Sequence, residues 1–232
     1  MGKKAICVLL FALMLSGAVL PTYGLDLPVV AVIDAGHGGE DGGAVSSDGT
    51  AESGINLAIA QKLEWILCFL GYETVMTRSD ENAVYDADAA TLREKKVSDL
   101  KNRVALVNDT TGGLLISIHQ NSLPSHPRVH GAQVFYNGAE DSADVARAVQ
   151  DALNCAINGG NEKNVAPTGS GIYLMKKSQK PSILVECGFM SNETECRKLK
   201  DAAYQVRLAA AIGAGVSSYT TQQRTRSVVN EE

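Results

Sequence analysis

The sequence has 232 residues, of which 45% are hydrophobic, and a formal net charge of −5. This length and apolar fraction suit one globular domain that supports its own core. The acidic balance, without a basic stripe or interleaved aromatic and basic residues, argues against a nucleic-acid partner. A neutral or mixed polymer, or a small substrate, is compatible with this charge.

The first 24 residues differ in composition from the remainder of the chain. Lys3 and Lys4 give a positive start, residues 5–20 form an almost unbroken apolar run, and Pro21 then interrupts it. This pattern is typical of a secretory signal peptide or an uncleaved N-terminal anchor. Because the run is short for a membrane-spanning helix of ~20 residues, cleavage is favoured. We therefore expect residues 1–24 to direct export and to lie outside the folded domain.

From residue 29 onward, predicted strands alternate with predicted helices. Apolar and β-branched runs predict strands at 29–34, 72–77, 114–119, 131–136 and 182–187, with a shorter strand at 172–175. Helical spacing and capping residues predict helices at 55–70, 91–107, 142–157, 191–199 and 202–219. Residues 158–170 predict a loop, and residues 221–232 a loose polar tail. The sequence thus predicts an α/β fold: a single domain with a mostly parallel, twisted sheet of about six strands, flanked by helices on both faces.

Three polar residues follow or close predicted strands, and a fourth begins a predicted helix. His37 lies in a glycine loop, His119 and Glu186 end apolar runs, and Glu52 precedes the first helix. Ligands bind at the carboxyl ends of strands in parallel sheets, so we expect these side chains to converge. A phosphate-binding loop is the competing interpretation for the glycines. It fails because Asp41 occupies the third glycine position and no Gly-Lys-Ser/Thr follows.

Each of the four residues also has a plainer interpretation. A lone histidine such as His119 is more often structural than a ligand, and Glu52 suits the first turn of a helix for its dipole alone. Glu186 is different because a carboxylate in an apolar strand is costly to bury unless it is paired or bound to metal. Together, two histidines and a glutamate match the ligands of a hydrolytic zinc site, and a second glutamate supplies the proton shuttle.

Further candidates surround these four residues. His126 and His130 follow His119 and are weaker candidates for metal ligands. Cys187 is beside Glu186 and raises the alternative of a Cys–His hydrolase, although nothing marks its thiol as activated. Arg103 either orients the site or is a plain exposed charge, and both interpretations stay open.

The cysteines outside the first 24 residues have no paired short spacing of the Cys-x-x-Cys type, so a thiolate zinc site is not indicated. Cys68 lies in an apolar helical pattern and is expected in the core. Outside the cytosol, disulfides such as one between Cys155 and Cys196 are compatible with the sequence.

Four motifs occur along the chain in the order Ile-Asp-Ala-Gly-His-Gly-Gly-Glu-Asp-Gly-Gly-Ala, Glu-Ser-Gly-Ile-Asn, Ser-Ile-His-Gln-Asn and Val-Glu-Cys-Gly-Phe-Met-Ser-Asn. In this order they resemble the zinc-dependent N-acetylmuramoyl-L-alanine amidases of the type 3 family, over residues 29–219. The resemblance implies a mostly parallel sheet flanked by helices, with residues 25–220 as the amidase catalytic domain. It also implies one zinc ion per chain held by His37, Glu52 and His119, with Glu186 as the catalytic glutamate. The implied reaction cleaves the amide between the lactyl group of N-acetylmuramic acid and L-alanine in peptidoglycan.

Within this family, residues 120–130 are too short for the helical insertion that blocks autoinhibited division amidases. Val-His-Gly-Ala-Gln-Val-Phe-Tyr after the second histidine resembles the spore-cortex, germination-related subgroup, whose action leads to muramic lactam. We therefore expect an exported enzyme at the cell wall or the outer face of the membrane, including the spore-cortex compartment. An activating partner protein, and membrane association through the N-terminal segment, are compatible with the sequence. The alternatives are a non-catalytic peptidoglycan-binding protein and a zinc peptidase that acts within stem peptides.

Overall fold

The computed structural model describes residues 29–230, with side chains through residue 226. Residues 1–24, predicted to be a signal or anchor, lie outside the described residues. The strands are β1 (Val30–Ala35), β2 (Glu73–Met76), β3 (Gly113–Asn121), β4 (Gln133–Tyr136), β5 (Ala166–Pro167) and β6 (Ser182–Phe189). The helices are α1 (Glu52–Phe69), α2 (Leu92–Asp109), α3 (Ser142–Leu153), α4 (Tyr173–Lys177), α5 (Glu193–Leu199) and α6 (Ala202–Asn230), with a π-helical turn at Asn154–Asn158.

The six strands form one mostly parallel sheet in the order β2-β1-β3-β6-β4-β5. All neighbouring strands are parallel except β4 and β6, which are antiparallel. The central strands are apolar on both faces because helices cover both, as expected for a parallel sheet. This architecture confirms the predicted fold class.

The two faces of the sheet build two separate cores. Alternate residues of each central strand point to opposite faces. On one face, side chains of the sheet pack against α1, α3 and α6; examples are Ile33, Ile116, Val185, Ile59, Leu63, Val149 and Ile212. On the other face, a smaller cluster packs against α2 and α4; it comprises Val32, Leu115, Leu184, Val107, Leu174 and Met175. The carboxyl ends of β1, β3 and β6 therefore lie on a framework that is fixed from both sides.

Three predictions of secondary structure were wrong. The apolar run at 172–175 is not a strand, because a run this short fits a buried helix as well. Residues 173–175 lie in helix α4, from which Leu174 and Met175 reach the smaller core. The sixth strand is instead β5, within the segment predicted as a loop. Helix α6 continues through Asn230 rather than ending at 219, so most of the tail predicted to be loose is helical. Adding residues to a formed helix is easier than starting one, and Thr220 bonds to the Tyr72 hydroxyl.

The four described cysteines are free. Cys68, predicted in the core, is exposed. It lies one residue before the end of α1, and its Sγ is 3.1 Å from the Thr74 hydroxyl of the edge strand β2. Among the described residues, no helix combines the length and apolar character needed to span a bilayer.

Gly215 of α6 packs directly on the backbone of α3. A Cβ at this position would lie 2.4 Å from Val149 Cα and 2.8 Å from the carbonyl oxygen of Ala148. We expect Gly215→Ala to force the two helices apart and to lower the free energy of unfolding by about 1–3 kcal/mol, measured by chemical denaturation.

The matched control is Gly54→Ala, since Gly54 lies in α1 with open space around its Cα. There, alanine should be neutral or should stabilise the protein by up to about 1 kcal/mol. Equal unfolding free energies for the two variants would show that the α3–α6 contact has room for a methyl group.

Candidate metal centre

His37 follows β1 and has a left-handed backbone, with φ of 62°. This conformation is uncommon for a residue with a Cβ and must be held by its surroundings. Arg103 holds it, because its Nη2 donates to the carbonyl oxygen of His37 at 2.7 Å. The ring then points Nδ1 at Asp41 Oδ2, 3.1 Å away, and Nε2 at Glu52 Oε2, 3.5 Å away.

The glycines of this loop let the site residues approach the backbone. A Cβ at Gly36 would lie 2.3 Å from Cε1 and Nε2 of His119. A Cβ at Gly43 would lie 2.6 Å from Glu52 Oε2 and 2.7 Å from His37 Cδ2. The glycine pattern therefore serves close packing around two imidazoles and a carboxylate, in agreement with the rejection of a phosphate loop.

Glu52 is the first residue of α1, and its side chain is buried. Its Oε2 accepts from Ala44 N at 2.8 Å, and its Oε1 accepts from Gln120 N at 2.9 Å and from Asn56 Nδ2 at 3.1 Å. Burial alone would raise the pKa of Glu52, but the hydrogen bond and positive charge of His119 outweigh it and lower the pKa to about 2. The carboxylate is therefore ionised and fixed in orientation.

His119 and Glu186 are direct partners in the register of the parallel strands β3 and β6. Paired residues of adjacent strands point to the same side of the sheet, so the two side chains lie next to each other. His119 Nδ1 is 3.1 Å from Glu52 Oε1, and its ring meets the ring of His37 edge to face, with centroids 4.9 Å apart. Burial would lower the pKa of His119, but Glu52 outweighs it and the pKa is raised.

Glu186, beside His119, has a carboxyl oxygen whose hydrogen bonding is unsatisfied. Its Oε2 is buried and has no hydrogen-bond partner among the described residues. Burial raises the pKa of Glu186 to about 7, against the opposing attraction of His119. A buried carboxyl oxygen without a partner is costly, and a carboxyl group that titrates near neutral pH is suited to proton transfer.

His37, Glu52 and His119 fit a divalent metal ion. Each offers one ligand atom, and these atoms lie within 4.8 Å of one another; no other such group of three occurs among the described residues. Two imidazoles and one carboxylate are the protein ligands of many catalytic zinc sites, which keep a fourth position open. The contact of His37 with Asp41 adds the carboxylate that commonly orients a ligating histidine. The donor chemistry and the spacing therefore suit zinc.

The other candidate ligands lie outside this site, and the candidate nucleophile is not activated. The Nδ1 of His126 bonds to Ser125 and that of His130 to Asn161, both on the exposed surface and outside the group of three. Cys187 is fully buried, and burial raises the pKa of its thiol, so it is not an activated nucleophile.

Arg103 is not an exposed charge; its side chain is 2% exposed. Its Nη1 donates to Asp34 Oδ1 and to the Ala35 carbonyl oxygen, both at 2.8 Å, and its Nε donates to Asp99 Oδ2 at 2.9 Å. Together with its bond to His37, this ties α2 to the end of β1. Neither Asp34 nor Asp99 stands out in the sequence. The spacing of Asp99 and Arg103, one helical turn apart, was the one available signal for this network.

We expect Arg103→Met to destabilise the protein by about 3–5 kcal/mol, because it leaves two buried aspartates without their cation. Chemical denaturation would measure the loss. Arg93→Met is the control, since Arg93 is an exposed residue on the same helix and its replacement should change stability by less than about 0.5 kcal/mol. A similar effect of both substitutions would mean that the buried network contributes little.

Comparison with known proteins gives consistent matches over nearly all of the described chain. The family model described as N-acetylmuramoyl-L-alanine amidase matches residues 31–218. The germination-specific N-acetylmuramoyl-L-alanine amidase of Bacillus subtilis (strain 168) is 35% identical over 195 residues, which cover 84% of this chain and 81% of that protein.

Solved structures match over a similar extent. The CwlD amidase from Clostridioides difficile, solved in complex with the GerS lipoprotein, has a TM-score of 0.79 and 37% identity, over 83% of this chain and 98% of that one. The catalytic domain of CwlV, an N-acetylmuramoyl-L-alanine amidase from Bacillus (Paenibacillus) polymyxa var. colistinus, has a TM-score of 0.69 and 31% identity, over 82% of this chain and 97% of that one.

Proposed function

The chain belongs to the family of N-acetylmuramoyl-L-alanine amidases, and from that premise we propose that it is a zinc enzyme of spore-cortex peptidoglycan. In this proposal, His37, Glu52 and His119 hold one zinc ion and Glu186 is the catalytic residue. The observation that carries it is the convergence of the three ligand atoms beside a buried carboxyl group with no hydrogen-bond partner. The cortex assignment is supported by the germination-specific relative of Bacillus subtilis.

The chemistry divides between the metal and the protein. Zinc, when bound, would lower the pKa of a bound water towards ~7 and polarise the scissile carbonyl. Glu186 takes a proton from the attacking water and later gives it to the nitrogen of the departing amine. The hydroxyl of the attacking water becomes bonded to the lactyl carbonyl carbon, and the amide bond between this carbon and the L-alanine nitrogen breaks. The products are a free carboxyl group on the muramic acid and a stem peptide with the free amine of L-alanine.

The three proposed ligands stay fixed during the proton transfer because backbone amides and a neighbouring carboxylate support them. Asp41 contacts Nδ1 of His37, and the amides of Ala44 and Gln120 donate to the carboxylate of Glu52. Such second contacts hold ligands in the orientation that the metal needs. The raised pKa of Glu186 suits a group that must both accept and release a proton near neutral pH.

The test is product identification by mass spectrometry after incubation of the chain with zinc and defined muropeptides. The proposal expects an intact stem peptide that begins with free L-alanine. Fragments that start within the stem peptide would instead indicate a peptidase. A chain that binds zinc and peptidoglycan but releases no product, alone or with a partner protein, would indicate a binding protein. Parallel incubations with cortex fragments and with vegetative cell wall test the assignment to spore cortex.

We also propose that the chain is exported and that it acts with a partner protein. The positive start and apolar run of residues 5–20 support export to the compartment that contains peptidoglycan. The CwlD amidase was solved in complex with the GerS lipoprotein, and this supports a partner protein for the present chain as well. Activity of the purified chain, measured alone and after addition of membrane extract, would show whether a partner is required.

A further inference from the structure

A cleft runs from the candidate metal centre along the first turns of α2. One cavity, of about 90 Å³, lies between α2 and α4 and includes His37, His119 and Tyr173 in its walls. A second cavity, of about 190 Å³, continues towards the start of α2. Asp41 and Lys96 line both cavities, so the two adjoin. We call the two cavities together the α2 cleft.

The α2 cleft lies on the face of the sheet to which the site residues point. Leu115 and Leu184 belong to the smaller core that packs against α2 and α4. Side chains alternate along a strand, so His119 and Glu186, which lie an even number of residues further on, point to that same face. A substrate that reaches both side chains therefore contacts the exposed residues of α2 and α4.

The charges at the start of α2 are the reverse of those that favour a helix. Arg93, Lys95 and Lys96 lie within its first five residues, and its last turn has no basic residue. The positive end of the helix dipole disfavours cations, so this arrangement does not serve the helix itself. Departures from a local rule of this kind are expected where residues serve a site.

Lys96 is the lysine of the α2 cleft whose ammonium group is available to a ligand. Lys95 Nζ pairs with Glu40 and lies 4.8 Å from the centre of the Tyr85 ring, and its side chain is 25% exposed. Lys96 Nζ is 2.9 Å from Asp41 Oδ2, and its side chain is 56% exposed. Because an ammonium group has three donors, Lys96 can contact Asp41 and a second carboxylate at once.

Asp41 has other contacts that hold it in place. Its Oδ2 lies 3.1 Å from Nδ1 of His37, and its Oδ1 accepts from the Gly43 amide at 3.2 Å. An ion pair as exposed as that between Lys96 and Asp41 contributes little to stability. The place of Lys96 in the wall of the cleft is therefore better explained by a ligand than by support of Asp41.

We propose that Lys96 is a specificity-determining residue, which binds the free α-carboxylate of the second residue of the stem peptide. This role rests on the proposed function, in which the scissile amide lies at the candidate metal centre. The stem peptide is acidic whereas the glycan strand is neutral, so a cation beside the centre favours the peptide half of the substrate.

The distances agree with this assignment. When the second residue is a γ-linked glutamate, its α-carboxylate lies roughly 5–7 Å from the scissile nitrogen, by standard backbone dimensions. Lys96 Nζ is separated from the His37 ring by one carboxylate group, that of Asp41, which is a spacing of the same scale. The carboxylate at the C-terminus of the stem peptide lies further from the scissile bond.

Two synthetic muropeptides with the same tripeptide stem test the proposal. They differ only at the second residue, which is D-isoglutamate in one and the corresponding amide, D-isoglutamine, in the other. We expect the zinc-loaded chain to hydrolyse the carboxylate form with a kcat/KM about 3- to 10-fold higher. Lys96→Met should remove this preference by raising KM for the carboxylate form, with kcat changed by less than about twofold. Lys101→Met is the matched control, because Lys101 is exposed on the same helix and lines neither cavity; it should keep the preference.

Two results would overturn the proposal. The first is an equal kcat/KM of the unmodified chain on the two muropeptides. The second is a Lys96→Met variant that is impaired equally on both, which is the result expected if Lys96 supports Asp41 or contacts another carboxylate. A lowered zinc affinity in this variant would identify the support of Asp41 as the cause.

A binding measurement separates this inference from the proposed reaction. Titration calorimetry of both muropeptides would use Glu186→Gln, with and without Lys96→Met. We expect Glu186→Gln to bind the carboxylate form about 3- to 10-fold more tightly, and the double variant to bind both forms alike. This outcome would support the contact of Lys96 even if the unmodified chain cleaved neither muropeptide, a result that would count against the proposed function alone. Equal affinities in Glu186→Gln would count against Lys96.

Discussion

Glu186→Gln is expected to lower the turnover of muropeptides by about 10²- to 10⁴-fold while the chain still binds one zinc ion. Glutamine keeps the size of the side chain and its place on β6 but cannot accept the proton of the attacking water. The three ligand atoms come from other residues, so metal content should be unchanged. Steady-state rates, measured beside zinc content by elemental analysis, would check both parts.

The control for this variant is Glu193→Gln, because Glu193 is exposed at the start of α5 and contacts none of the ligands. It should retain full activity. Retained activity in Glu186→Gln would remove Glu186 from the mechanism. Loss of zinc together with activity would instead give Glu186 a role in holding the metal.

His37→Ala is expected to produce the complementary result, with loss of metal and therefore of all turnover. Removing one of three protein ligands should weaken zinc binding by more than about 100-fold, which is already the effect of losing an outer contact. Competition with a chromogenic chelator would measure the affinity. Zinc added in excess should restore little activity, since His37 supplies one of the three converging candidate ligand atoms.

A stability measurement separates metal loss from misfolding in this variant. Because zinc binds only the folded state, a chelator should lower the melting temperature of the unmodified chain. The same chelator should have little effect on His37→Ala. The control is His126→Ala, at an exposed residue outside the group of three, and it should behave like the unmodified chain. An undiminished zinc affinity in His37→Ala would exclude His37 as a ligand.

The placement of the site could be predicted from the sequence because parallel topology sets it. His37 follows β1, and His119 and Glu186 lie near the carboxyl ends of β3 and β6; the carboxyl ends of parallel strands meet at one edge. That His119 and Glu186 are direct neighbours on adjacent strands could not be predicted. The pairing of His119 with Glu186 depends on β6 lying beside β3, a crossover between strands that are distant in the sequence.

The supporting contacts were harder to predict because they are long-range. Glu52 looked like an ordinary first-turn acid, and only the fold brings its carboxylate to Gln120 and His119. Arg103 had two interpretations because its helix is mostly polar, and its burial follows from the buried Asp34 on another element. Short elements were also ambiguous: a four-residue apolar run formed α4, and a two-residue strand formed in a segment without β-branched periodicity.

The central position of β6 imposes an order on the assembly of the sheet and of the candidate site. A chain made from its N-terminus produces β1 to β5 first, yet β6 lies between β3 and β4. Until residues 182–189 arrive, β3 has an unpaired, apolar edge of the kind that aggregates, and β4 has no neighbour that joins it to β1–β3. The same late strand delivers Glu186. A nascent chain is thus expected to bring His37, Glu52 and His119 together before it gains Glu186, and to need protection of one sheet edge during that interval.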